Sequence, residues 1–124
     1  MSHRVYLGCR NSILKIRATY ANGRIEQTNG TLIKDAETVL TCAHGLIGAE
    51  KAEAYLDSQI RWPVIHVVTI PAIDVAILKL GTPNTQAKAA NPISINLTQK
   101  LEVGNRAYLF GYPGEVEEIT MVPV

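Results

Sequence analysis

At 124 residues the chain has the length of one domain, and 47% hydrophobic residues are enough to build a core of its own. Twelve basic against eleven acidic side chains leave a formal charge of +1, with no Lys/Arg cluster of the kind that marks a nucleic-acid or membrane footprint. No apolar run approaches the roughly 20 residues of a membrane helix, and the opening MSHRVYLGCRNS lacks the apolar stretch of a signal peptide. The expectation is therefore a soluble chain with no nucleic-acid and no membrane partner, its compartment unassigned.

The periodicity along the chain is that of strands. ILKIRATY puts Leu14, Ile16, Ala18 and Tyr20 on one face and Lys15, Arg17 and Thr19 on the other, the two-residue alternation of a half-buried strand. Asn22-Gly23 follows as a hairpin signal. RIEQTNGTLI resumes extended, KDAE turns, and TVLTCA returns as a third strand that delivers His44 to its end before the chain breaks at Gly45. Leu46 to Glu50 reads as a helical turn. KAEAYLD has helix-favouring residues, but the alternation of Ala52, Ala54 and Leu56 argues for a strand. RWPVIHVVTI and DVAILKL are rich in β-branched residues and are bounded by Pro71 and by Gly81-Thr82-Pro83, so both read as strands. Six short strands with turn signals between them, and no helix of ordinary length, predict an all-β fold built on a closed or nearly closed barrel.

Beyond Leu80 the texture changes. GTPNTQAKAANPISINLTQKLEV is polar, small and interrupted by proline, as long as a connection becomes before it acts as a linker. NRAYLFGYPGE and EEITMVPV then read as two further strands joined by a turn carrying Pro113 and Gly114. Two strands alone are marginal and expose unpaired edges. The tail is therefore expected to swap with a second copy, to lie on the barrel, or to be disordered.

Two cysteines, Cys9 and Cys42, are too few for a disulfide framework, and Cys42, inside its strand between Thr41 and Ala43, is expected to pack as a small thiol. Trp62, Tyr55 and Tyr112 are aromatic contact candidates, although a lone aromatic in a strand usually belongs to the core.

Candidate chemistry centres on His44 and Asp74. A single histidine at a strand-to-turn junction is most often a surface residue, though such junctions also carry side chains into clefts. Asp74 heads the apolar run DVAILKL, where a carboxylate either caps a turn or needs a group that accepts its charge. An imidazole is such a group, because a carboxylate on Nδ1 fixes the ring's tautomer while Nε2 takes a proton. His66, in the alternating VIHVV, and the terminal His3 carry no comparable pattern.

NGTLIKDAETVLTCAHGL, then DVAILKL, then VGNRAYLFGYPGE resemble, in order, the trypsin-like, chymotrypsin-fold serine peptidases. The resemblance runs over residues 12 to 120. It implies a chymotrypsin-like six-stranded antiparallel barrel over 5–82, a linker over 83–100, and over 101–124 the first hairpin of an incomplete second barrel. It also implies that His44 is the general base and Asp74 the carboxylate that orients it, with no cofactor and no metal. The partners implied are a protein or peptide substrate and a second chain or segment that completes the second barrel, with homo-oligomers through the open strand edges as a further possibility.

The sequence departs from the family in several places. A nucleophile motif of the Gly-Asp-Ser-Gly-Gly kind, whose backbone also builds the oxyanion hole, does not occur in these residues. The serines are Ser2, Ser12, Ser58 and Ser94, none with flanking glycines. Gly45 stands where secreted members often place a cysteine, and before the histidine motif only Gly30 remains of the usual paired glycines. Three readings follow: the His- and Asp-bearing portion of a serine endopeptidase, an inactive relative kept as a binding or scaffold module, or an unrelated small barrel.

Overall fold

Alternation at a period of two residues decides the architecture, because each strand then has one face that must be covered. The computed structural model describes residues 2–85, 90–93, 95, 102–111 and 120–123. Six strands, β1 (Ile13–Thr19), β2 (Ile25–Leu32), β3 (Thr38–Thr41), β4 (Lys51–Leu56), β5 (Ile60–Ile70) and β6 (Val75–Leu80), close an antiparallel barrel in the order β1-β2-β3-β6-β5-β4.

The inward faces are those the alternation assigns. Leu14, Ile16 and Ala18 from β1, Leu32, Val39, Leu56, Trp62, Leu78 and Leu80 fill the interior together with the small side chains of Ala52, Ala54 and Ala76. Large and small residues are interleaved, as a narrow barrel requires, and each fully buried leucine contributes about 1.5–3 kcal/mol. Gly30 of β2 is part of the same fit: a Cβ there would run into Val39 Cγ1 and come within 3.1 Å of Ile16 Cγ1. Trp62, one of the aromatic contact candidates, belongs to this core.

Turn chemistry sets the registers. Asn22-Gly23 reverses β1 into β2, with Gly23 at φ 85° and its N–H donating to Tyr20 O at 2.9 Å. Between β4 and β5 the chain reverses through a three-residue loop that follows Leu56, in which Asp57 and Ser58 both take positive φ (57° and 71°). In β5 a bulge lies between Val64 and His66. From there to Ile70 the strand pairs with β6, whereas its pairing with β4 covers only Ile60–Pro63.

Two features differ from the sequence expectation. Ser2–Cys9 forms an α-helix, α1, where no helix was expected; its Tyr6 packs on Ile13, so tertiary contact sustains it rather than periodicity. Lys15, expected on the water-facing side of β1, is buried; the Tyr108–Gly111 strand packs against this outward face of β1, where Phe110 meets Ile13. Of the three fates expected for the tail, packing on the barrel is observed. β7 (Tyr108–Gly111) pairs antiparallel with β8 (Thr120–Pro123), and Phe110 of β7 packs against Ile13. The turn joining β7 to β8, with Tyr112, lies outside the described residues, as does much of the connection that follows Leu80.

Candidate active site

The β3–β6 register builds the site. Pairing of Thr41 with Ala76 is the last rung of that ladder, and just past it the Ala43 N–H donates to Asp74 O at 3.2 Å. Residues 30 positions apart in the chain therefore leave the barrel side by side at one rim.

Each residue then turns for a local reason. After Ala43 the chain enters a single helical turn in which the Leu46 and Ile47 amides both donate to Ala43 O, at 2.9 and 3.2 Å. This turn starts earlier than the sequence expectation of 46–50, so His44 stands at its beginning and projects outward. The buried Tyr20 hydroxyl donates to Gly45 O at 2.7 Å and ties the turn to the barrel. On the other side, Pro71–Ile73 form a 3-10 turn that stops at Asp74. Asp74 adopts the left-handed conformation (φ 54°, ψ 44°), and its N–H donates to Pro71 O. Aspartate tolerates this conformation better than most residues, and it redirects the chain into β6.

The carboxylate of Asp74 grips His44 twice. Oδ2 lies 2.7 Å from Nδ1 and Oδ1 accepts the backbone N–H of His44 at 2.8 Å. The ring hydrogen bond first, and the backbone N–H second, hold the Asp74 carboxyl below its ordinary value. With the carboxylate charged, Nδ1 carries the proton and the Nε2 lone pair faces away from Asp74. Side-chain exposures of 74% for His44 and 50% for Asp74 leave that nitrogen open to an incoming group.

Cys42 is not the packed strand residue that its sequence position suggested. It lies just beyond the last residue of β3 and is half-buried, with Sγ 3.3 Å from Thr28 Oγ1 and 4.0 Å from His44 Nε2. The sequence held the signal, since residues two apart in an extended segment share a side. Both cysteines are free.

The other candidates stand apart. His66 is exposed on β5, opposite Lys79, and no hydrogen bond or ion pair joins it to His44 or Asp74 among the described residues. Ser58 precedes β5 whereas Asp74 follows it, so the two lie at opposite ends of that strand. Ser94 and the His3 side chain lie outside the described residues.

No curated protein matches the chain. Among solved structures, the active form of the Rv3671c protease from M. tuberculosis superposes with a TM-score of 0.80 at 23% identity, covering 98% of this chain and 50% of that one. The serine endoprotease from Yersinia pestis gives a TM-score of 0.81 at 16% identity, covering 99% and 43%. These likenesses establish the chymotrypsin-like barrel, and the chain spans about half the length of either structure. The family model for the trypsin-like peptidase domain matches residues 28–122, three quarters of the chain, with the His44 turn, Asp74 and β3 to β7 inside it, and the chain accordingly belongs to that family.

Proposed function

We propose that this chain supplies the proton-transfer half of a trypsin-like serine endopeptidase, with His44 as general base and Asp74 as the carboxylate that orients it. The observation that carries the reading is the double grip of Asp74 on the ring Nδ1 and the backbone N–H of His44. One contact fixes the tautomer, the other fixes the position of the ring, and together they leave Nε2 as the free proton acceptor. When Nε2 takes a proton from a serine hydroxyl attacking a peptide carbonyl, the carboxylate stabilises the imidazolium; the same proton then passes to the leaving amine.

The nucleophile in this proposal is a serine outside these 124 residues, carried with its oxyanion-hole amides on a second barrel. The organisation proposed is a first barrel over 5–82, a connection over 83–100 and the opening hairpin of the second barrel over 101–124. The exposure of the His44 ring supports it, because a base that waits for a group from a facing barrel must be open before that barrel is in place. Protein or peptide is the proposed substrate.

The test is active-site labelling of the complete gene product with a fluorophosphonate. Labelling is expected at a serine outside this segment, and His44→Ala should abolish it. Asp74→Asn should cost about 10⁴-fold in kcat, as loss of the orienting carboxylate does in triads of this type. Absence of any labelling would favour the inactive binding module, and labelling at Ser58 would overturn the assignment of the nucleophile.

A further inference from the structure

We propose that Cys42 and His44 form a binding site for a thiophilic divalent cation of the zinc class, and that occupation of this site withdraws the imidazole from proton transfer. Cation binding is independent of the function proposed above; only its inhibitory consequence rests on that reading.

Three observations converge. Cys42 Sγ, a ring nitrogen of His44 and a carboxylate oxygen of Asp74 lie within 4.8 Å of one another. The Sγ atom lies 4.0 Å from Nε2 of the ring. Bonds of about 2.3 Å to sulfur and about 2.0 Å to nitrogen at a tetrahedral angle separate the two ligand atoms by about 3.5 Å. A small rotation of the half-buried Cys42 side chain closes that difference. Nδ1 is engaged by Asp74 Oδ2 at 2.7 Å, which is the tautomer and support that metal-binding histidines commonly have.

The surroundings complete the chemistry. Thr28 Oγ1, 3.3 Å from Sγ, is placed to donate to a metal-bound thiolate. The exposed ring leaves the remaining coordination positions to water. Binding releases the thiol proton to solvent and engages the Nε2 lone pair, so the cation and a substrate-derived proton compete for one electron pair. Asp74 acts here through His44 and not as a ligand, because its two oxygens are already engaged by the backbone N–H and Nδ1 of His44.

Cobalt(II) is the probe, read by its thiolate-to-metal charge-transfer absorption. The purified protein should develop this band on addition of Co²⁺ and lose it when Zn²⁺ displaces the cobalt. Cys42→Ser should remove the band while Cys9→Ser leaves it intact, and Asp74→Asn should weaken binding about 10–100-fold. His44→Asn should weaken it at least as much. A band that survives Cys42→Ser or is indifferent to His44→Asn would overturn the site, as would its absence from the unsubstituted protein. In the complete peptidase, Zn²⁺ should inhibit, and Cys42→Ser should keep the activity while relieving the inhibition. If the complete protein proves inactive, the cobalt measurements still decide whether the cation site exists.

Discussion

Replacing Tyr20 by phenylalanine tests how the His44 turn is held. Tyr20 is 8% exposed, and its hydroxyl is 2.7 Å from Gly45 O, the one hydrogen bond to that carbonyl among the described residues. Phenylalanine keeps the ring, its place in the core and its position under the Arg24 guanidinium, 4.2 Å from the ring centroid. What is lost is the donor, and Gly45 O is then left buried without a partner. An unsatisfied buried acceptor costs about 1–3 kcal/mol, more than the roughly 0.5–1 kcal/mol of an exposed cation–π contact. Tyr20→Phe should therefore lower stability to urea by about 1–3 kcal/mol, and Arg24→Ala should cost less. Hydrogen exchange at the Leu46, Ile47 and Ala49 amides, all bonded within this turn, should accelerate more than exchange in β1. Unchanged stability together with unchanged protection of those amides would refute the idea that this hydroxyl anchors the His44 turn.

Gly30→Ala should destabilise by about 1–3 kcal/mol through overpacking against Val39 and Ile16, and adding Val39→Ala should recover part of the loss in a double-mutant cycle, measured by urea denaturation. Leu78→Ala, in the barrel interior, should cost about 2–5 kcal/mol in the same assay. Asp74, held low by His44, and Asp35, held low by the Glu37 backbone N–H and the Thr38 hydroxyl, have folded-state values below the unfolded one of about 3.9. Their contribution is thus present above that pH and lost as pH falls through the folded values, so Asp35→Asn and Asp74→Asn should each flatten the acid limb of a stability-versus-pH curve. Lys79, hydrogen-bonded to Glu37, is shifted upward, so its contribution should be complete below its unfolded value of about 10.4 and disappear as pH rises through the folded one; Lys79→Met should remove that alkaline dependence.

The barrel was legible because its information is local. Leu14, Ile16, Ala18 and Tyr20 alternate in the sequence and are buried in the fold, and Asn22-Gly23 announces its own turn. The Asp57-Ser58 reversal was less visible, since neither residue advertises positive φ as glycine does. Helix α1 has no strong pattern of its own and depends on Tyr6 meeting Ile13. For the site, the chemistry of the residues suggested that a carboxylate at Asp74 would suit an imidazole at His44, but spacing alone did not bring them together. Their contact depends on the β3–β6 register, a non-local property that a single sequence reveals only through family resemblance. Cys42 was misplaced for a related reason: the strand was read as continuing through it, whereas the pairing ends at Thr41 and leaves the thiol at the rim.

The left-handed backbone at Asp74 has an evolutionary consequence. Asparagine and glycine tolerate such a conformation as readily as aspartate does, so the turn alone does not require an acid at this position. Under the proposed function, a descendant released from proton transfer has a route to silence through exchange of one carboxylate oxygen for an amide nitrogen, which upsets the tautomer of His44 while the loop and the barrel stay in place. If the proposed role of Asp74 holds, an intact scaffold among relatives is a poor guide to whether cleavage survives, and the chemical identity of this one side chain discriminates better.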